Sequence, residues 1–115
     1  MHELGLAYSV FDVVAQEMSR RRGSILKLIE LSVGRLSGVD AGFLKFSLEA
    51  ILRASPYVSA RVEIVAVKAY CRCAKCGNMF EPPAYYCPCP GCGSHEISLL
   101  QGGELKIRSL VIETE

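Results

Sequence analysis

Two short cysteine motifs constrain the fold of this chain more than any other part of its sequence. Residues 73–77 (CAKCG) and 89–93 (CPGCG) repeat one Cys-x-x-Cys-Gly pattern, with twelve residues between Cys76 and Cys89. In each motif two thiolates can converge on one ion, and the glycine lets the backbone turn back toward the sulfur atoms. The two turns together predict a closed tetrahedral zinc site with four ligands: Cys73, Cys76, Cys89 and Cys92.

Other uses of these four cysteines have to be weighed. The same paired turns occur in iron sites of the rubredoxin type, and their spacing does not distinguish the two metals. Free or disulfide-paired cysteines are a third interpretation, which the lack of a secretory signal pattern disfavours. A thioredoxin-like redox function is disfavoured because neither turn opens a helix after a strand. The segment has few apolar residues, so we expect metal binding to supply most of its folding energy.

Two further cysteines and one histidine complicate the ligand assignment. Cys71 and Cys87 each lie two residues before a predicted ligand, so Cys71 could pair with Cys76, and Cys87 with Cys92. We prefer the shorter pairs because each carries glycine directly after its second cysteine. Cys71 and Cys87 are then unligated thiols, a disulfide, or an alternative part of the metal shell. His95 could bind metal, although a surface histidine is more usual at this spacing.

Hydrophobic periodicity predicts helices at 5–22 and 41–54 and strands at 24–36, 60–70 and 104–112. Asp40 is placed to cap the second helix, whose broadly apolar sequence predicts deep burial. Strand, helix and strand in succession predict parallel pairing, and the last strand returns to the same sheet. We therefore predict an α+β fold. Residues 1–70 and 103–115 form two helices on a small three-stranded mixed sheet, and a zinc-ribbon-like domain is inserted at 71–102.

The opening Met1-His2-Glu3 offers a second kind of metal site. The terminal amine, the His2 amide nitrogen and the His2 imidazole can close fused chelate rings around one ion, and the Glu3 carboxylate can complete the shell. Such nitrogens favour square-planar or tetragonal Ni(II) or Cu(II), and copper is expected to bind more tightly. The bulk of His2 favours retention of Met1. The alternative interpretation is a frayed terminus without function.

Composition argues against several classes of function. A net charge of +1 gives no general attraction to nucleic acid or membrane lipids, and no apolar run approaches the length of about twenty residues that spans a bilayer. The arginine run at 20–22 is either a phosphate contact or, more usually, a solvated helix end. With only His2 and His95 and no glycine-rich phosphate loop, the chain carries no catalytic constellation. We predict a cytoplasmic carrier that is not an enzyme and binds neither nucleic acid nor membrane.

The whole chain resembles the HypA family of nickel metallochaperones, which act in hydrogenase maturation. The resemblance rests on residues 1–4 (MHEL), the helix–strand–helix–strand body, residues 37–40 (SGVD), the paired cysteine turns and residues 101–105 (QGGEL). Neither the terminal motif nor the cysteine insertion is specific for this family by itself, but their combination is. Cys71 and Cys87 depart from the four-ligand set of that family.

The resemblance implies delivery of Ni(II) to the large subunit of NiFe-hydrogenase, with a HypB-type GTPase as partner. It implies that Met1, His2 and Glu3 bind nickel and that Asp40 is a supporting ligand. The alternative interpretation of Asp40 is a plain helix cap. Ni(II) is then a transient cargo and Zn(II) a structural cofactor. The sequence does not decide whether the chain also delivers nickel to a urease, which hydrogenase receives it, or whether the protein is a monomer or a homodimer.

Overall fold

Two helices and two small sheets make up the described part of the chain, which is residues 2–84 and 86–114 of a computed structural model. In chain order the elements are α1 (His2–Ser19), β1 (Ile25–Gly34), α2 (Ala41–Arg53), β2 (Arg61–Val67), β3 (Tyr70–Cys73), β4 (Met79–Phe80), β5 (Ile97–Gln101) and β6 (Leu105–Glu113). This arrangement confirms the predicted α+β class.

The first sheet has the strand order β2-β1-β6. β1 runs parallel to β2 and antiparallel to β6, which confirms the predicted mixed sheet. Ile29, which is completely buried, pairs with Val62 of β2 and Leu110 of β6. An extra residue in β6, Arg108, shifts the register, so that Ile107 and Leu110 both pack against the core. This bulge explains why polar and apolar residues alternate at 104–108 but residues 110–112 are all apolar.

Both helices pack against the same core as this sheet. The core contains Ala7, Val10, Val14 and Met18 of α1, Leu44, Leu48 and Leu52 of α2, and Leu26, Ile29, Leu31, Val33 and Val62 of the sheet. The helical members recur at three- and four-residue steps, so each helix turns one stripe inward. Truncating one of the buried leucines to alanine is expected to cost about 2–5 kcal/mol. Among the described residues, neither helix is long and apolar enough to cross a membrane.

The first helix begins and ends earlier than predicted. It covers His2–Ser19, whereas the periodicity predicted 5–22. Glu3 lies in the first turn, where the helix dipole favours a negative charge. After the helix, the Arg21 amide donates to the carbonyl three residues back, which tightens the turn, and Gly23 has a φ of 80°. The arginine run therefore lies in an exposed turn after the helix.

The prediction that α2 is well buried is wrong for Phe43 and Phe46. Phe43 is 42% exposed and Phe46 is 56% exposed. The sheet and α1 cover only the stripe that carries Leu44 and Leu48, and the two phenylalanines lie off this stripe. With Tyr8 of α1 they line an open apolar groove between the two helices.

The second sheet has the strand order β4-β3-β5 and is antiparallel throughout. Its three strands were not predicted, and the predicted strand at 60–70 placed Tyr70 at the end of the first sheet. That assignment is wrong, because β2 ends at Val67 and Tyr70 begins β3. The proposed boundaries of the inserted domain, 71–102, stay a prediction.

Glycines form the junction where the chain passes between the two sheets. The Gly34 amide donates to the Glu104 carbonyl at 2.8 Å, and the Leu36 amide donates to the Gly102 carbonyl at 2.8 Å. Gly102 has a φ of 100°, and a Cβ on this residue would overlap the backbone of Ala69. A Cβ on Gly34 would likewise overlap the backbone of Gly102. The absence of side chains at both positions lets these chain segments pack backbone against backbone.

Candidate metal centres

Four cysteine side chains converge at one end of the second sheet. Cys73 is the last residue of β3, Cys76 lies in the turn that follows, and Cys89 and Cys92 belong to the second turn. Their sulfur atoms all lie within 4.8 Å of one another, and we call them the four-cysteine cluster. The Sγ atoms of Cys73 and Cys92 are 3.6 Å apart, as are those of Cys76 and Cys89. A tetrahedral ion with metal–sulfur distances of about 2.3 Å separates its ligands by about 3.8 Å, which is close to this geometry.

The same backbone contact closes both cysteine turns. The Gly77 amide donates to the Cys73 carbonyl at 2.9 Å, and the Gly93 amide donates to the Cys89 carbonyl at 2.8 Å. Both glycines have a φ of 77°, a conformation that residues with side chains rarely adopt. The predicted function of glycine after each second cysteine is therefore confirmed.

Hydrogen-bond donors surround the buried sulfur of Cys89. The Gly91 amide donates to this sulfur at 3.4 Å and the side-chain amide of Asn78 at 3.9 Å. The backbone amide of Cys92, followed by that of Gly91, lowers the pKa of Cys89 to about 6. Asn78 was not predicted as a site residue. Its position directly after a Cys-x-x-Cys-Gly turn is the signal that could have indicated it.

The thiols of the cluster differ in their affinity for protons. The backbone amide of Cys76 lowers the pKa of Cys73. At Cys76 the backbone amide of Asn78 favours the thiolate, but the neighbouring Cys89 thiol and burial outweigh it and raise the pKa to about 11. Four negative sulfur atoms cannot be held so close together without a cation. The cluster therefore suits a divalent ion that accepts soft, tetrahedral ligands, and it leaves no position open for a further ligand.

The N-terminal motif lies beside the start of α2. His2 is exposed and is the first residue of α1, whereas Met1 lies outside the described residues. The Glu3 carboxylate accepts a hydrogen bond of 3.2 Å from the backbone amide of Asp40. The Asp40 carboxylate accepts one of 3.0 Å from the Phe43 amide and caps α2, as predicted. The structure thus brings Glu3 and Asp40 together at one end of the helix pair.

The predicted nickel ligands do not form a closed set in this conformation. Within residues 2–84 and 86–114, the four-cysteine cluster is the only group of three or more Cys, His, Asp or Glu side chains arranged to hold a metal ion. The His2 amide is nevertheless among the first four N–H groups of α1, which have no partner within the helix. A metal can therefore take this nitrogen without breaking a helical hydrogen bond.

Cys71 and Cys87 lie outside the four-cysteine cluster. Both line a cavity of about 240 Å³, together with Leu36 and His95. Burial, and to a smaller extent the charge of a Cys87 thiolate, raises the pKa of Cys71. His95 is exposed and is likewise not part of the cluster. These three residues therefore form a separate environment next to the metal centre.

The chain matches one protein family over almost its whole length. The family profile described as "Hydrogenase/urease nickel incorporation, metallochaperone, hypA" matches residues 1–112. The chain belongs to the HypA family. The family resemblance inferred from the sequence is confirmed, and the protein is a nickel metallochaperone with a four-cysteine metal site. The prediction that it is not an enzyme is also confirmed, because the family consists of metallochaperones and maturation factors.

Curated relatives match the chain over its length. The hydrogenase maturation factor HypA of Parabacteroides distasonis is 35% identical over 115 residues and covers 100% of both chains. The HypA protein of Chlorobaculum parvum is 38% identical over 113 residues, which are 98% of this chain and 100% of the relative.

Solved structures of HypA proteins share the fold. The solution structure of the Ni metallochaperone HypA from Helicobacter pylori covers 98% of each chain, with a TM-score of 0.70 and 23% identity. A second structure, described as the solution structure of HypA protein, covers 100% of this chain and 98% of that chain, with a TM-score of 0.75 and 24% identity. At such low identity the likeness concerns the fold alone.

Proposed function

We propose that the chain binds Ni(II) through its N-terminus and delivers it to the large subunit of NiFe-hydrogenase. Met1, His2 and Glu3 supply the ligands, and Asp40 supports them. The observation that carries this proposal is the start of α1 at His2, which leaves the His2 amide without a helical partner. The contact between Glu3 and Asp40 adds two carboxylates at the same end of the helix pair.

Such a site suits a carrier that must bind and then release its cargo. Ligands at the first turn of a helix can be assembled and separated without opening the hydrophobic core. Coordination by the His2 amide requires loss of its proton, so nickel affinity falls as the pH falls. A receiving protein that supplies its own ligands can therefore take the ion without unfolding the donor.

The four-cysteine cluster, in this proposal, holds Zn(II) as a structural metal. Its four thiolates close the coordination shell, and the short strands around it have little apolar core of their own. Metal analysis and an absorption spectrum of the purified protein test the assignment. A colourless protein with one equivalent of zinc supports it, whereas iron or nickel in the cluster produces a coloured protein and contradicts it.

The proposed setting is the cytoplasm, with a HypB-type GTPase as partner. The chain has no glycine-rich phosphate loop, so any GTP hydrolysis that drives delivery comes from another protein. Family membership supports hydrogenase-related partners, and the GTPase and the large subunit are the specific partners that we propose. Two structural units divide this work: residues 1–70 with 103–115 handle nickel, and residues 71–102 hold zinc.

Nickel titration of four proteins tests the N-terminal site. The proteins are the native chain, a chain with a few extra residues before Met1, His2→Ala and, as a matched histidine control, His95→Ala. We expect the native chain and His95→Ala to bind one nickel ion with equal affinity, measured by calorimetry and absorption. The extended chain and His2→Ala should lose this binding, because the terminal chelate rings cannot form.

Zinc content is measured in all four proteins, so that a loss of nickel binding is not confused with loss of the fold. Equal nickel binding by the native and the extended chain would place the ion elsewhere and contradict the proposal. Loss of binding in His95→Ala alone would indicate a site near the cavity beside Cys71.

A further inference from the structure

Cys71 and Cys87 occupy equivalent positions in the two chain segments that lead into the cysteine turns at 73–77 and 89–93, and we call these segments the two arms. Cys71 precedes Cys73 by two residues, and Cys87 precedes Cys89 by two residues. In β3, Cys71 and Cys73 are buried while Arg72 between them is exposed, so both cysteines lie on one face of the strand. Because Cys73 and Cys89 meet in the cluster, the two arms bring Cys71 and Cys87 to the same side of it.

The two thiols share the cavity of about 240 Å³ described above. Cys71 is 4% exposed and is held in the β3 ladder, whereas Cys87 is half-buried and belongs to no helix or strand. Both thiols are free in this structure. Leu36, Ile97 and Leu99 make the rest of the wall largely apolar. One thiol is therefore shielded and held in a strand, and the other is half-buried in the same cavity, where it donates to the Pro88 carbonyl at 3.3 Å.

A second metal site is a poorer use of this pair. Two thiols need at least one further donor for the coordination numbers usual for zinc or nickel. His95 lines the same cavity, but the described residues contain no arrangement of Cys71, Cys87 and His95 suited to hold an ion. A disulfide needs only the two sulfur atoms.

We propose that Cys71 and Cys87 form a reversible disulfide when the protein meets a hydroperoxide, while the four-cysteine cluster keeps its metal. The Cys87 thiolate attacks one peroxide oxygen, the O–O bond breaks, and a sulfenic acid forms on Cys87. Hydroxide leaves and takes up the proton that the Cys87 thiol released on ionising, which gives the first water. The Cys71 sulfur then attacks the Cys87 Sγ, and the S–S bond forms. Hydroxide departs and takes the Cys71 proton as a second water. Two thiols are oxidised by two electrons, and hydrogen peroxide is reduced to two waters.

This disulfide ties together the two arms of the metal cluster. It cross-links the chain two residues before Cys73 and two residues before Cys89, so the sulfur atoms of these two ligands lose freedom to separate. The oxidised protein should therefore release zinc to a chelator about tenfold more slowly than the reduced protein. A small-molecule thiol reverses the state by thiol–disulfide exchange.

The test uses the full chain loaded with zinc and treated with hydrogen peroxide. We expect the intact mass to fall by two hydrogens, a non-reduced digest to contain a peptide joining Cys71 to Cys87, and one zinc to stay bound. A thiol reductant should restore the mass. His95→Ala, a matched change in the same cavity that removes no thiol, should behave as the unmodified sequence does.

Two single variants separate the roles of the thiols. Cys71→Ala should gain one oxygen at Cys87, trapped by a sulfenic-acid reagent, and should form no intramolecular disulfide. Cys87→Ala should keep its mass, because the remaining free thiol is shielded. Cys87 is less buried than Cys71, so Cys87→Ala should disturb the fold less. The Cys87→Ala result therefore tests the proposal even if Cys71→Ala does not fold.

Three outcomes overturn the proposal. The first is a set of disulfides within the four-cysteine cluster accompanied by loss of zinc. The second is the absence of any Cys71–Cys87 peptide while zinc is retained. The third is a second equivalent of zinc that protects both thiols before oxidation, which would make the pair a metal site instead.

Discussion

The backbone amide of Asp40 donates a hydrogen bond of 3.2 Å to the carboxylate of Glu3, and the two residues lie 37 positions apart in the chain. This bond joins the first turn of α1 to the residue that caps α2. In the proposed nickel site the Glu3 carboxylate also binds the ion, so the Asp40 amide and the ion share this side chain. Loading nickel should change the link between the helix ends.

Glu3→Gln separates the charge of this side chain from its hydrogen bond. The amide oxygen of Gln can still accept from Asp40, but the ligand charge is lost, so we expect nickel affinity to fall about tenfold. Stability should fall by only about 0.5 kcal/mol, the usual contribution of a charge at a helix N-terminus. Nickel calorimetry and thermal unfolding measure the two effects. Asp12→Asn, an exposed change on the same helix, is the control, and unchanged nickel affinity in Glu3→Gln would exclude Glu3 as a ligand.

Asp40 is a helix cap by structure and a nickel ligand by proposal, and two variants distinguish these functions. Asp40→Ala removes the acceptor for the Phe43 amide and should lower the free energy of unfolding by about 1 kcal/mol. Asp40→Asn keeps the cap and should unfold as the native chain does. If Asp40 supports nickel, Asn weakens nickel binding about tenfold despite normal stability. Equal nickel affinity in the native chain and Asp40→Asn would leave Asp40 as a cap alone.

The glycine junction should be far more sensitive to substitution than a helical glycine. Gly102→Ala forces a side chain into the backbone of Ala69 at a positive φ, so we expect a loss of about 3 kcal/mol or more. Gly5→Ala in α1 meets open space and should instead stabilise the protein by about 0.5–1 kcal/mol. Denaturant unfolding of both variants provides the comparison. Similar stability for the two proteins would mean that the junction is not tightly packed.

Removal of the cluster metal should unfold the second sheet and leave the first intact. Among the described residues, none of the second sheet belongs to the main core, which α1, α2 and the first sheet share. The two sheets are joined by the chain connections at the glycine junction. NMR spectra recorded during titration with a zinc chelator should lose dispersed amide signals from residues 70–101 while those of β1 persist. Cys76→Ser should reproduce this pattern without chelator. Loss of all signals together would show that one cooperative unit includes both sheets.

Ionisation of Cys89 affects the folding of the metal-free chain. Folding lowers the pKa of Cys89 from 9.0 to about 6, so its thiolate stabilises the folded state fully above pH 9. This contribution is lost as the pH falls from about 9 to about 6. The pKa of Cys76 moves in the opposite direction and partly offsets it at alkaline pH.

Much of the architecture was predictable because its causes are local. The apolar stripe of α1 follows from spacing within one helix, and burial of Ala7, Val10 and Val14 confirms it. The left-handed glycines at 77 and 93 follow from the Cys-x-x-Cys-Gly turn, which is complete within five residues. The second sheet escaped prediction because β4 has two residues and β3 has four, which is too few for a period of two to be recognised.

The sequence by itself determined the two cysteine turns, the inward stripe of α1 and the capping function of Asp40, since each depends on neighbours a few residues away. Only the tertiary structure decided which distant groups meet. The Glu3–Asp40 bond, the close approach of Gly102 to Ala69 and the cavity shared by Cys71 and Cys87 all depend on how separate elements pack. Phe43 and Phe46 remain exposed for the same reason, because burial requires an apolar residue and also a partner surface on its side of the helix.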